Sequence, residues 1–157
     1  MSIPSLPATL TPALSGREAI ADAVYRCLVA IDTDNPSLFK SSFTNDAIFE
    51  LNGTTMNGFD EINEQCYASI SKLDTNHYLS NLRINILDGD SKAEMTCSAL
   101  AQHYHSGEGM KPDTVPLLAG SFYWLELVKD ESDGLWKIKH WKLKANWGQG
   151  DWGVFGH

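Results

Sequence analysis

The spacing of apolar residues changes once along the chain, near residue 75, and this change limits the folds open to it. Before that point, apolar side chains recur at helical intervals, as at Ile20, Val24 and Cys27. Beyond it, they alternate with polar ones at the period of a strand. Four such segments span about 76–87, 92–106, 115–130 and 134–147. The order predicts an α+β fold in which helices precede a long antiparallel meander.

Three helices are predicted in the first half of the chain. Ser15-x-x-Glu18 is a capping-box pattern that would start a first helix ending at Asp32. A second helix would start at Asp34-Asn35-Pro36, because a cap residue there precedes a proline that a first turn tolerates. The third follows Gly58, after a short strand candidate at 47–51.

Domain boundaries follow from the ends of these patterns. Residues 1–14 are rich in Ser, Thr and Pro and are interpreted as a flexible N-terminal arm. No linker or repeat divides 15–157, which we therefore treat as a single domain. The strand segments are long, so the sheet must curve, and a curved antiparallel sheet closed by three N-terminal helices would enclose a cone-shaped pocket.

Strand alternation indicates which side chains face that pocket. In 92–106, His103 shares a face with small and apolar residues, so it is expected at the mouth; Gln102 is the rival if the register differs by one. Ser121 and Tyr123 place two hydroxyls in an otherwise apolar row, a pattern suited to hydrogen-bonding a ligand.

Two further candidates lie at the junction between helices and sheet. His77 shares its predicted strand face with Asn81, which therefore also points to the pocket. Asp32 ends the first helix, next to an apolar position. A histidine next to a carboxylate can both take and return a proton near neutral pH.

Composition excludes several function classes. Twenty acidic against 12 basic residues give a net charge of -8, which argues against nucleic acid and anionic membrane surfaces as partners. No apolar run approaches the roughly 20 residues of a membrane span. The three cysteines form no close pairs, which favours free thiols in the cytoplasm. Phosphate loops, nucleophile elbows and zinc-protease motifs are absent from the sequence.

In order and spacing, several short segments resemble the SnoaL-like polyketide cyclase and isomerase family, and within it the scytalone dehydratases. That family has the nuclear-transport-factor-2-like fold. The segments cover most of 15–155 and are Ala30-Ile31-Asp32, Asn76-His77-Tyr78-Leu79-Ser80-Asn81, Ala101-Gln102-His103-Tyr104, Gly134-Leu135-Trp136-Lys137 and an aromatic closing segment at 151–155.

The resemblance implies a catalytic set. Asp32 would hold and polarise His77, a general acid/base, while His103 would be a second acid/base or would bind a phenolic oxygen. Ser121 would donate a hydrogen bond. The expected substrate-binding residues are Ser121, Tyr123, Phe49, Leu51, Asn81, Trp147 and Phe155.

Departures from the dehydratase pattern guide the choice of reaction. Ile31 and Leu51 stand where the dehydratases have tyrosines, and Tyr123 stands where they have an asparagine. We therefore predict a cofactor-independent isomerase acting on a polycyclic phenolic polyketide, with cyclase or dehydratase activity as alternatives. No metal is expected. A non-catalytic ligand-binding or assembly module is a further alternative.

One other alternative is a metal enzyme, and it rests on a single short run. His103-Tyr104-His105 with Glu108 partly resembles a cupin ligand motif, although its spacing is one residue short. The following closing histidine is also missing before His140.

Apolar residues on the opposite strand face predict self-association. They are more numerous than three helices can easily cover, so we predict a homodimer through the sheet, ahead of a trimer. The residues assigned to this face are Leu82, Ile84, Ile86, Leu118, Phe122 and Trp124.

Overall fold

A curved sheet of six strands wraps around the helices in the computed structural model, which describes residues 3–87 and 89–156. Parts of the predicted arm and domain, namely Met1, Ser2, Asp88 and His157, lie outside the described residues. The strands are β1 (Phe43–Leu51), β2 (Thr54–Asn57), β3 (Asp74–Ile86), β4 (Lys92–Tyr104), β5 (Leu117–Lys129) and β6 (Trp136–Gly150). Their order in the sheet is β2-β1-β6-β5-β4-β3.

The predicted α+β class is confirmed, and one detail of the sheet differs. β1 runs parallel to β6, with Phe49 opposite Trp141, whereas every other neighbouring pair is antiparallel. β2 was not predicted, because four residues are too few to show a strand period. Together these make a mixed, open sheet.

Helices occupy the concave side. They are α1 (Gly16–Asp32), α2 (Pro36–Ser41), α3 (Phe59–Ile62) and α4 (Ala68–Ile70), with a π-helical turn at Asn63–Tyr67 joining the last two. Asn35 caps α2 by accepting the Leu38 N–H at 3.1 Å. Ser15 precedes α1 as predicted, but its side chain makes no cap hydrogen bond.

A bulge in β3, between Ser80 and Arg83, decides which residues face inward. Because a bulge adds an unpaired residue, it reverses the alternation beyond it. Leu82, Ile84 and Ile86 consequently pack against the core, close to α1. The prediction that these three residues face outward is wrong.

The N-terminal segment lies outside the regular elements. Residues 3–14 form no helix or strand, and the Asn35 side chain donates to Ser5 Oγ at 2.9 Å. Within the described residues, no helix has both the length and the apolar character needed to cross a bilayer.

Candidate active site

A cavity of about 390 Å³ lies between the concave face of the sheet and the helices. Its walls are mainly apolar, and Phe49 and Leu51 of β1 are among the lining residues. Hydroxyl, amide and imidazole side chains interrupt this lining at Asn52, Thr54, His77, His103, Ser121 and Tyr123. A mostly apolar cavity with a few convergent polar groups is typical of a small-molecule site.

Asp32 and His77 meet at one end of this cavity. His77 Nδ1 lies 2.6 Å from Asp32 Oδ1, and the His77 backbone N–H donates to Asp32 Oδ2 at 2.8 Å. Both side chains are largely buried, with 8% of His77 and 13% of Asp32 exposed. Because the carboxylate accepts the proton on Nδ1, the free lone pair of His77 is on Nε2.

His103 is the second histidine of the cavity. Its ring centroid lies 5.2 Å from that of His77 in an edge-on arrangement, and Nδ1 is 3.4 Å from the Leu117 carbonyl oxygen. Burial, together with the neighbouring His77, lowers the pKa of His103 to about 4. The His103 imidazole is therefore neutral at neutral pH.

Two hydroxyls line the wall formed by β5. Ser121 and Tyr123 lie on the inward face of this strand, and Tyr123 packs edge-on against Trp141 at 5.1 Å between ring centroids. Burial raises the pKa of Tyr123 well above its usual range. The Tyr123 phenol therefore stays protonated and can donate a hydrogen bond to a ligand.

The last element of the described residues is a short 3₁₀ helix, Trp152–Phe155, that covers part of the cavity. Asp151 anchors this turn: its N–H donates to the Pro116 carbonyl at 3.1 Å, and its side chain accepts the Gly153 N–H at 2.8 Å. Phe155 then packs edge-on against His103, with 5.0 Å between ring centroids. The predicted contribution of Phe155 to the cavity wall agrees with this placement.

Two predicted pocket residues lie elsewhere. Asn81 falls within the β3 bulge, has a backbone φ of 56° and points to Ser98 Oγ on the other face. Trp147 lies over Gly120 on the convex face and is 49% exposed, because the pairing of β5 and β6 shifts by one residue there. Their predicted location in the pocket is wrong, since alternation does not continue through a bulge.

The structure shows which of His103 and Gln102 faces the cavity. His103 is 5% exposed and lines the cavity, whereas Gln102 lies on the opposite strand face and donates to Tyr104 Oη at 2.9 Å.

Several side chains at or near the site were missed by the sequence interpretation, Asn52 and Thr54 among them. Trp141 and Leu143 of β6 line the cavity, and Trp141 stacks on Phe49 at 4.3 Å between ring centroids. Extending strand alternation to this segment would have found both. Thr75 donates to Asp32 Oδ1 at 2.8 Å. Thr75 lies two residues before His77, so strand alternation places both side chains on the same face; this pattern could have identified Thr75 from the sequence.

The residues of the alternative metal motif do not converge. His105 pairs with Asp151 at 3.2 Å, while His103 lies in the cavity. Across residues 3–87 and 89–156, no group of three or more His, Cys, Asp or Glu side chains is arranged to hold a metal ion.

Comparison with known proteins shows which family the chain belongs to. The model of the SnoaL-like domain matches residues 12–142, which is most of the chain. The chain belongs to the SnoaL-like family. A protein of Penicillium crustosum, named terrestric acid biosynthesis cluster protein E, is 61% identical over 156 residues, covering 99% of each chain.

Solved structures share the SnoaL-like fold at low sequence identity. A protein provisionally assigned as a scytalone dehydratase from Novosphingobium aromaticivorans is 20% identical, with a TM-score of 0.72 over 86% of this chain and 87% of its own. A type 2 hexachlorocyclohexane dehydrochlorinase is 21% identical, with a TM-score of 0.71 over 87% and 89%. The predicted family resemblance and fold are thereby confirmed.

Proposed function

We propose that this SnoaL-like protein is a cofactor-independent acid/base isomerase of secondary-metabolite biosynthesis. The observation that carries the proposal is the Asp32–His77 pair at the wall of an apolar cavity. A close relative named for a biosynthesis cluster supports the metabolic setting. The three free cysteines, among them the buried Cys27 and Cys97, fit the cytoplasm that we propose as its location.

The proposed step is a proton transfer between two carbons of an unsaturated ketone. His77 Nε2 takes a proton from the carbon next to the carbonyl, and the C–H electron pair forms an enolate. Asp32 keeps the ring oriented and stabilises the charged imidazole. Hydroxyl donors on β5 (Ser121 or Tyr123) hold the enolate oxygen, and His77 then returns the proton to the far carbon of the conjugated system.

The protonation state of His103 argues against this residue as the acid of a dehydration. Dehydration needs an acid that protonates the departing hydroxyl, and a neutral imidazole with a pKa of about 4 for its conjugate acid is poorly suited to this. Isomerisation needs only one group that takes and returns the same proton. His103 would instead accept a hydrogen bond from a substrate hydroxyl.

Cavity size limits the substrate. An apolar cavity of about 150 Å³ holds one benzene ring, so the 390 Å³ here corresponds to a ligand of two or three rings at most. No lysine or arginine lies among the cavity-lining residues of the described chain. We therefore propose a compact, uncharged phenolic ketone of two or three rings.

Mass and isotope measurements test the reaction class. Incubating the protein in D₂O with compact bicyclic ketones such as 2-tetralone and its conjugated enone derivatives should speed α-proton exchange, followed by NMR. It should also yield products of unchanged composition apart from deuterium. A product lighter by one water would instead support the dehydratase alternative. Ligand binding without exchange or turnover would support the non-catalytic module.

A second proposal concerns self-association through the convex face of the sheet. Tyr78, Leu100, Phe122 and Trp147 form an outer apolar row that is 59%, 41%, 46% and 49% exposed. Tyr78 pairs with Leu100, which is linked through Gly120 to Trp147, so the row crosses four adjacent strands. A broad sheet face packs well on another sheet face, and we propose the same face of a second copy, as a homodimer.

Replacing Phe122 with glutamate should separate the two copies, because it would bury an unpaired charge in the centre of the proposed interface. Light scattering at micromolar concentration should show a dimer for the wild type and a monomer for Phe122→Glu. Tyr25→Glu, at an exposed position on α1, should remain dimeric. A monomeric wild type would contradict the proposal.

A further inference from the structure

Thr75 makes the third contact to the carboxylate that holds His77. It lies on β3 two residues before His77, and its hydroxyl donates to Asp32 Oδ1 at 2.8 Å. The same oxygen accepts from His77 Nδ1 at 2.6 Å, while Oδ2 accepts the His77 backbone N–H at 2.8 Å. One short segment of β3 therefore supplies every hydrogen bond described for this carboxylate.

Two donors on a single carboxylate oxygen fix it more firmly than one. Without the Thr75 hydroxyl, Oδ1 would be held only by the His77 imidazole, and the carboxylate could tilt about its Cβ–Cγ bond within the limit set by the His77 backbone N–H on Oδ2. The Thr75 hydroxyl, carried by β3, adds a second hydrogen bond to Oδ1 beside that of the His77 imidazole. It also draws part of the negative charge of Oδ1 toward itself, which moderates the pull of that oxygen on the Nδ1 proton.

We propose that Thr75 is a positioning residue of the site: it holds Asp32 so that His77 presents Nε2 to the cavity. Thr75 acts through Asp32, and its hydroxyl takes no part in the proton transfer itself. This inference rests on the proposed function for its effect on turnover. Its effect on the hydrogen bond between His77 and Asp32 does not depend on that function.

The test uses a pair of substitutions at one position. Thr75→Val keeps the size and branching but lacks the hydroxyl, and should lower kcat about tenfold with KM within about twofold of wild type. Thr75→Ser restores the donor and should recover kcat to within about twofold. Thr96→Val on β4, a threonine outside the cavity lining, is the matched control and should leave kcat unchanged.

Proton NMR of the ligand-free protein separates this inference from the proposed function. In Thr75→Val the Nδ1 proton of His77 should move downfield, because Asp32 Oδ1 no longer shares its charge with a second donor. A wild-type Nδ1 resonance together with wild-type kcat in Thr75→Val would overturn the inference. So would a Thr75→Ser variant as impaired as Thr75→Val. If the Nδ1 resonance of His77 shifts in Thr75→Val while the wild-type protein shows no turnover, the proposed function is refuted but the positioning role is not.

Discussion

Replacing His77 with glutamine is expected to lower kcat/KM about a thousandfold, within the range for loss of a general base. Glutamine retains a similar size and can still donate a hydrogen bond to Asp32, so the cavity should keep its shape. It has no basic nitrogen to accept the substrate proton. Ligand affinity, measured by calorimetry, should therefore change by about threefold at most while turnover falls.

The chain contains a matched control for this substitution. His140 on β6 also pairs with a carboxylate, at 2.5 Å from Glu50, but it lies outside the cavity lining. His140→Gln should leave kcat/KM within about twofold of wild type. Equal activity in His77→Gln and the wild type would refute His77 as the base.

Replacing Gly150 with alanine should be the most destabilising small substitution near the site, at about 3 kcal/mol of unfolding free energy. The backbone φ there is 113°, and an added Cβ would lie 1.8 Å from the Pro116 carbonyl oxygen. Relief would require moving the end of β6 away from the strand that it pairs with. Because Asp151 follows directly, the 3₁₀ turn carrying Phe155 should also be displaced from its position over the cavity.

Urea denaturation and kcat measurements on the same preparations would check both consequences. Gly16→Ala is the informative control, because Gly16 also has a positive φ, 55°, but no atom lies within 4 Å of the added methyl group. It should cost about 1 kcal/mol, the price of the left-handed backbone alone. Equal losses in the two variants would mean that contact with Pro116 contributes nothing.

Where strands run without interruption, alternation alone located the inner face. β4 keeps its two-residue period from Ala93 to His103, and this regularity selected His103 over Gln102. β3 and β6 contain pairing shifts, and these moved Asn81 and Trp147 to the opposite face. A bulge depends on how a strand pairs with its neighbour, so the strand's own residue pattern does not reveal it.

Contacts between residues far apart in the sequence also could not be predicted from local sequence patterns. The parallel contact of β1 with β6 joins segments about ninety residues apart, and no turn signal specifies it. Asp32 and His77 are separated by 45 positions, and their contact was inferred from the family resemblance. Amphipathic spacing identified α1, because burying one face of a helix leaves a clear periodic mark.

The Asp32–His77 pair and another wall of the cavity lie on different secondary structure elements, and this has a consequence for how the scaffold can diversify. α1 and the start of β3 supply every hydrogen bond described for the Asp32 carboxylate, including the one to His77, whereas Ser121, Tyr123 and Leu143 belong to β5 and β6. Substitutions on those two strands can reshape the ligand cavity without disturbing the base. New substrate preferences could therefore be selected, in the laboratory or in evolution, by changing one wall while the proton-transfer pair is inherited intact.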